Sequence, residues 1–445
     1  MLKVAKFGGS SMADAKQFAK VKAIVEADHS RKVIVVSASG KRFKEDNKLT
    51  DLLYLCHAHI KYGVACDPIF QMIADRYIEI RNECGIQTDV ESELAVLKKK
   101  LEEGISQDEL VSRGEYFSAR LMADYLGYDF LDATEWLKFS FDGEIDTEAS
   151  YTALREKALG RRVVIPGFYG VLPDGKIKVL TRGGSDITGA LAAAALDADV
   201  YENWTDVSGI LMVDPRIVQD PQPIERVTFS ELRELSHMGA QVLHEGTVFP
   251  VREKNIPVNI RNTNCPEHPG TMIMEDCGEP SEEELSRFVT GITGKKNYSI
   301  ITVGKLGLSA AIGELRAVLE VFENHRISVE YVPSGMDCVS VVVETESISN
   351  CLYSIIHDIR KSLKTDDIRV DENIAIIAVV GRKMANRPGM SGRLFGALGK
   401  AGINIRMISQ DPNEVDIVVG IDNKDFEKAI QVMYHSFVKK EAKAQ

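Results

Sequence analysis

The sequence predicts an α/β protein. A mainly parallel sheet covered by helices is followed by two copies of a smaller strand–helix–strand–strand–helix module. Three observations predict this. Buried-strand patterns at 2–7 and at KVIVVS (32–37) flank the helix-patterned AKQFAKVKAIVEAD, which makes a βαβ unit. A glycine pair stands between strand and helix twice, at Gly8-Gly9 and at Gly183-Gly184. In the last third of the chain, strand signals recur at one spacing. SIITV (299) matches AIIAV (375), ISVE (327) matches INIR (403), and CVSVVV (338) matches EVDIVV (414), each pair 76 residues apart.

The elements follow in order. From Leu52 to about Leu126 the pattern is long, charged and helical, with few breakers. RRVVIPGFYG and KIKVLT restore strand character, and the second runs into TRGGSD (181–186). The small-residue stretch ITGALAAAALDA reads as a helix and VYENWTDV as the next strand. The acidic EPSEEE near 279–284 marks a domain boundary. Beyond it, the first copy closes with a strand candidate at DIRVDE, whereas the second stops in the charged tail KKEAKAQ and lacks that strand. The unassigned strand RFVTGIT (287–293) would fill the vacancy. The two modules are therefore expected to be entwined, with residues 288–292 pairing in the second.

Composition narrows the function classes. A chain of 445 residues suggests two or three domains, and 44% apolar residues is ordinary for a globular protein. The net charge is −12 and no basic block occurs, which argues against nucleic acid or an anionic membrane as partner. No run approaches the roughly 20 apolar residues of a membrane span, and no signal-type segment opens the chain. Seven scattered cysteines without C-x-x-C fit reduced thiols and a cytoplasmic location. His57 and His59, two apart on a helical pattern, face different ways and do not make a metal site.

The glycine turns carry the chemistry. KFGGSS (6–11) matches neither the G-x-x-x-x-G-K-[ST] loop nor G-x-G-x-x-G. Backbone N–H groups at a strand-to-helix turn can nest an anion, the helix N-terminus adds positive charge, and Lys6 can reach the same oxygens. A tight packing turn beside a solvated lysine is the equal alternative. In TRGGSD, the Arg182 guanidinium is able to fork onto a carboxylate or phosphate. Asp186 either caps the following helix or positions a lysine or magnesium; the residues alone leave both open.

Together these segments resemble a known family. KFGGSS, VVSAS (35–39), SRGE (112–115), TRGGSD, WTDVSGI (204–210), DPR (214–216), GAQVLH (239–244) and IPVNIRNT (256–263) stand in the order found in aspartate kinases. The repeated modules resemble the ACT domains of that family, and no dinucleotide-binding domain follows them, as in its monofunctional members. The resemblance implies a three-layer αβα amino acid kinase domain (1–285) with a mainly parallel central sheet. Two entwined βαββαβ, ferredoxin-like ACT domains would follow, at 286–372 and 373–445. It also implies transfer of the γ-phosphoryl group of ATP to the β-carboxylate of L-aspartate, the first step of lysine, threonine and methionine biosynthesis, with Mg2+ carried by ATP and no protein metal site.

By the same resemblance, Lys6 and Asp186 are catalytic, and Gly8, Gly9 and Ser10 bind phosphate. Arg182 clamps the α-carboxylate of aspartate, Glu115 receives its α-ammonium, and Ser37, Thr50 and Ser185 make further substrate contacts. Thr205, Asp206, Asp214 and Arg216 fall at the nucleotide. Leu308, Ser309, Glu330 and Ser334 are effector-site candidates, with lysine the first choice of inhibitor and threonine the second. A homodimer through the ACT domains, or a dimer of such dimers, is expected. Three departures from the family pattern stand out: KRFKEDNK (41–48) intervenes before Thr50 and suggests a charged, lid-like loop, Leu211 replaces a common tyrosine, and Gln241 replaces a common lysine. A kinase for another acidic amino acid, or an amino-acid sensor with a decayed kinase domain, are the competing readings.

Overall fold

The runs VAKF and VIVV lack the polar alternation of a half-exposed strand, and each is covered on both faces. A computed structural model of the chain describes residues 1–181, 183–240, 243, 245–278, 289–308, 311–365, 367–382, 384, 388–410 and 415–438. It divides into two units. One comprises Met1–Ile210, Pro223–Phe229 and Val242–Cys277; the other comprises Leu211–Gln222, Ser230–Gln241 and Gly278–Gln445. The acidic boundary segment 279–284 and the tail 439–445 lie outside the described residues.

The first unit begins with β1 (Lys3–Phe7), α1 (Ala15–Glu26) and β2 (Arg31–Val36). Four helices follow: α2 (Leu49–Lys61), α3 (Asp67–Cys84), α4 (Val90–Glu103) and α5 (Gln107–Leu126). The chain continues through β3 (Asp129–Phe130), α6 (Thr147–Ala158), β4 (Val163–Pro166), β5 (Tyr169–Val171) and β6 (Ile177–Val179). It then forms α7 (Gly184–Ala195), β7 (Val200–Thr205), β8 (Arg226–Thr228), β9 (Val258–Asn262) and β10 (Thr271–Met274). Eight strands make one sheet in the order β8-β10-β9-β7-β1-β2-β4-β3, parallel at every step except β9 with β10; β5 and β6 form a separate hairpin.

Strand alternation divides the two faces. Ala5, Phe7, Ile34, Val36, Val164 and Trp204 share a core with the apolar sides of α1 to α5. Lys6 points the other way, toward α7, which packs on β1, β2 and β7. α7 is almost all small residues because that approach is close. A Cβ on Gly189 would fall 2.6 Å from the Tyr201 hydroxyl.

In the second unit, β11 (Gly291–Gly304), α8 (Glu314–Asn324), β12 (Cys338–Glu344) and α9 (Leu352–Leu363) precede β13 (Asp367–Val380). Then come α10 (Met390–Lys400), β14 (Ile405–Gln410), β15 (Asp416–Asp422) and α11 (Phe426–Phe437). The strand order is β12-β11-β13-β15-β14, antiparallel throughout. β11 and β13 each carry an asparagine in the left-handed region, Asn297 (φ 70) and Asn373 (φ 59), again 76 residues apart. At Asn297 the β11–β13 register slips, as a bulge requires. Gly291–Lys295 lies opposite Ile376–Val380, while Ile300–Gly304 lies opposite Asp367–Asp371. The leading half of each long strand thus pairs with the other copy. Within the expected 288–292 segment, Thr290 N–H donates to Val380 O at 2.7 Å; residue 288 itself lies outside the described residues. The strand expected at ISVE (327–330) does not form, and only isolated bridges at Tyr331 and Ser334 follow it. Pro333 has no N–H to give a ladder there.

One buried network ties the first unit together. The guanidinium of Arg31 forks onto Glu202 at 2.6 and 3.1 Å, and Trp204 Nε1 donates to the same carboxylate at 2.9 Å. Burial pushes the Glu202 carboxyl up, but Arg31 and Trp204 outweigh it and hold the group below its ordinary range. Glu202→Gln leaves Arg31 without its counter-charge and is expected to cost roughly 3–5 kcal/mol. Both tryptophans, Trp136 and Trp204, are buried in this unit. Urea unfolding followed by tryptophan fluorescence therefore measures that loss without reporting the second unit.

Candidate active site

Ligands of open parallel sheets bind beyond the carboxyl ends of the strands, and Lys6, Gly8, Gly9, Ser10, Ser37, Thr205 and Asp206 stand at or just after the ends of β1, β2 and β7. Lys6 is the penultimate residue of β1 and only 6% exposed. Its Nζ lies 2.5 Å from Asp186 Oδ1. The same oxygen accepts from Asn203 Nδ2 at 2.9 Å. Asn203 sits opposite Lys6 in the β1–β7 register, so the alternation that puts Trp204 and Glu202 on one face puts Asn203 beside the lysine. Sequence reasoning did not single it out, although that alternation was available in VYENWTDV.

The two glycine turns differ. Gly8 is extended, donates to Trp204 O at 2.9 Å, and a Cβ on it would stand 3.5 Å from the Lys6 ammonium. Gly9 packs under Ala38 O, 3.0 Å from where its Cβ would be. Gly9–Met12 forms a short 3-10 turn, and the N-terminus of α1 is capped by the Asp14 carboxylate, which accepts from Gln17 N–H. The expected helix-terminus charge at the first turn is therefore already used by Asp14. At the second turn, Gly183 is left-handed (φ 80) and is itself the N-cap of α7. Asp186 lies in the first helical turn and reaches out to Lys6, so the capping role is filled by another residue. Arg182 lies outside the described residues.

Other groups close around these. Ser37 N–H donates to Phe7 O at 3.1 Å, which places Ser37 at the end of β2 beside the β1 exit. Ser185 packs on Gly167, whose missing Cβ leaves the space: one there would fall 2.7 Å from Ser185 Oγ. Next to it Phe168 holds φ 78, a strained backbone for an aromatic residue, with its N–H bonded to Thr188 Oγ1 at 3.0 Å. Ser11 Oγ and Thr263 Oγ1 are 2.7 Å apart, joining the first turn to the end of β9. Thr205 ends β7 and Asp206 follows it, with Thr263 N–H donating to Thr205 O at 2.8 Å. Asp214 and Arg216 belong to the second unit, where the guanidinium forks onto the carboxylate at 3.0 and 2.6 Å.

Glu115 comes from α5 and is buried, with Oε2 lacking any hydrogen-bond partner. Burial lifts its carboxyl to about 8, opposed by the Ala38 backbone N–H. The neighbouring Gly114 lets α5 meet α2 and the loop after β2. A Cβ there would be 2.9 Å from Ala38 Cβ and 3.9 Å from Thr50 Cγ2. Tyr77 donates to Gly114 O at 2.6 Å, and the buried Ser39 and Ser118 hydroxyls lie within its reach. The structure thus brings Thr50 up to Gly114, the residue before Glu115, despite the intervening insertion. The insertion does not hang free as the lid the sequence suggested. Asp46 within it is buried against Arg76 at 2.8 Å. Among the described residues no group of three or more His, Cys, Asp or Glu is gathered to hold a metal.

In the second unit, Leu308 and Ser334 line one cleft of about 710 Å³ with Ala311, Arg316 and Glu320. Glu330 is mostly covered and lies 3.0 Å from His237 Nε2. Ser309 and Gln241 lie outside the described residues, and Leu211 is partly exposed.

The Glu115 environment has a pH signature. The unfolded carboxyl ionises near 4.5 and the folded one near 8, so between these values the unfolded state binds fewer protons and stability falls as pH rises. The thermal midpoint of the unliganded protein, taken relative to its Glu115→Gln variant, is expected to decline from pH 4.5 to 8 and level off above. A difference that is flat across this window contradicts the burial argument.

Comparison with known proteins agrees with this geometry. Residues 1–262 match the amino acid kinase family and residues 377–437 match an ACT domain. Aspartokinase 3 of Bacillus subtilis is 33% identical over 453 residues, covering 98% of each chain. The crystal structure of Clostridium acetobutylicum aspartate kinase superposes with a TM-score of 0.89 at 44% identity, covering 98% of this chain and 100% of that one. The structure of E. coli aspartokinase III in complex with aspartate and ADP superposes at 0.72 with 25% identity, covering 98% and 100%. A kinase-type sheet with lysine and aspartate paired at its strand ends, an entwined ACT-type sheet and relatives matched along the full chain lead to one conclusion: this chain belongs to the amino acid kinase family, among the aspartokinases.

Proposed function

We propose that the chain transfers the γ-phosphoryl group of ATP to the β-carboxylate of L-aspartate, giving 4-phospho-L-aspartate and ADP. One observation carries the reading: a buried lysine, held on a carboxylate and an asparagine, stands beside a glycine whose missing side chain leaves room for a phosphate. A carboxylate with a pKa of about 4 is already ionised at neutral pH, so no general base is needed. Its oxygen attacks the γ-phosphorus while the bond to the bridging oxygen of ADP breaks. The obstacle is repulsion between anions, and the remedy is placed positive charge. Lys6 supplies it, and Asp186 and Asn203 keep the ammonium aimed. Mg2+, when bound, neutralises phosphate charge, and the lone carboxylate of Asp186 beside Lys6 suits an ion delivered on the nucleotide. Glu115 offers its unpartnered oxygen to the α-ammonium of aspartate, and Arg182 is assigned to the α-carboxylate. Thr205, Asp206, Asp214 and Arg216 are assigned to ATP.

Regulation follows from the second unit. The structure of E. coli aspartokinase III in complex with lysine and aspartate, described as the T-state, is 26% identical with a TM-score of 0.72. That likeness supports lysine as the inhibitor here, acting through the ACT domains of a cytoplasmic homodimer. Glu330 contacts His237 Nε2 through one carboxylate oxygen, and its other oxygen is the proposed acceptor for a lysine ammonium. Lysine would then shift the balance between active and inactive arrangements by binding them unequally.

ADP release assayed over a panel of acidic amino acids, with and without lysine, tests the proposal. Turnover confined to aspartate and suppressed by lysine is expected; absence of turnover with aspartate defeats it. Lys6→Met is expected to lower kcat by about 10²–10³-fold with little change in the aspartate KM. Glu330→Gln is expected to raise the lysine concentration for half-inhibition by about tenfold, the loss of one charge-assisted contact.

A further inference from the structure

The loop KRFKEDNK (41–48) is one of the three places where the sequence departs from the pattern of the family it resembles, and it buries a charge. Asp46 is 7% exposed, and it takes hydrogen bonds from Arg42 N–H and Nε, both at 3.0 Å, as well as from Arg76 Nη2 at 2.8 Å. Arg76, on α3, is 4% exposed. Its other terminal nitrogen, Nη1, donates to Gly40 O at 3.0 Å and to Ala13 O at 3.4 Å. Those two carbonyls follow the ends of β2 and β1. Gly40 N–H in turn donates to Gly9 O at 2.8 Å, and the two backbones are so close that a Cβ on Gly40 would meet Gly9 C at 2.6 Å. Leu49 N–H closes the loop onto Ser39 O at 3.1 Å.

A buried guanidinium is tolerated only beside a counter-charge. Asp46 is that counter-charge, and with it in place Arg76 spans both strand exits. We propose that Arg76, held by Asp46, is a positioning residue for phosphoryl transfer. It fixes the Gly8–Ser10 turn against the Ser37–Gly40 loop, so that the phosphate-side and substrate-side groups keep their spacing. Neither side chain touches a reactant. The inference rests on the kinase reading above, because only then does the spacing of these two segments govern a rate. The insertion thereby acquires a purpose. It delivers one carboxylate to the far side of the turn.

The test compares the full-length parent with Asp46→Asn, Arg76→Lys, Arg76→Met and the Asp46→Asn/Arg76→Met pair. Each is assayed for ADP release with aspartate, well below its unfolding midpoint. Misplacement on the ångström scale costs up to about a hundredfold, so each single variant is expected to lose about tenfold or more in kcat. The KM values for aspartate and ATP should move far less. Because the two residues act as one unit, the double variant should be no slower than the slower single. Should Arg76→Met not fold, Arg76→Lys and Asp46→Asn carry the comparison. A kcat within twofold of the parent in the folded variants overturns the proposal, as do losses that multiply in the double variant. A parent that does not turn over aspartate defeats the kinase reading instead. Amide hydrogen exchange then decides the positioning claim: faster exchange at Gly40 in Arg76→Lys and Asp46→Asn supports it, and unchanged protection refutes it.

Discussion

The site depends on one ion pair. An ammonium as buried as that of Lys6 needs a counter-charge at hydrogen-bond distance, because burying an unpaired charge is costly. Asp186 meets that need only if the first turn of α7 comes down onto the end of β1. The small residues of α7, the left-handed Gly183, the bare Gly167 under Ser185 and the twisted Phe168 all serve that approach. The pair is also strategic for the chemistry. On the proposed kinase reading, a carboxylate that holds the lysine keeps it aimed before any phosphate arrives, so little reorganisation is left for the reaction itself.

Glu115 is the electrostatic opposite. It is equally buried, yet one carboxylate oxygen has no partner, and its environment favours the protonated form. Evolved cores rarely leave such a group unless a ligand completes it. The groups that oppose its burial are the Ala38 and Glu115 backbone N–H, and the Tyr77 hydroxyl lies close enough to feel its charge. The cation is left for the substrate to bring. Lys6 has its counter-charge while Glu115 Oε2 has no partner, and on the proposed reading that difference separates a phosphate side from an amino-acid side.

The second unit rests on a backbone constraint. Two asparagines adopt a left-handed conformation halfway along the two longest strands, and each kink hands the leading half of its strand to the other module. The shared strands make the modules one sheet, so a change in the first copy has a covalent route into the second. The contact between Glu330 and His237 adds a polar contact inside the same unit.

Much of this was legible in the chain. Strand and helix periods placed the βαβ start, the helical stretch and the two glycine turns, and the 76-residue repeat exposed both modules together with the orphan strand that entwines them. These features depend on local sterics and on side-chain periodicity, which a sequence carries directly. KFGGSS and TRGGSD mark two strand-to-helix turns, yet only the folded chain shows that Asp186 is not the cap, by putting Gly183 there and Lys6 within reach. Asn203 came to Lys6 through strand register, and the charged insertion proved anchored because Arg76 waits for Asp46 thirty residues away. The protonation of Glu115 was invisible for the same reason. Charge state is set by which distant atoms exclude water from a group, and that is a property of packing, which no stretch of the sequence contains.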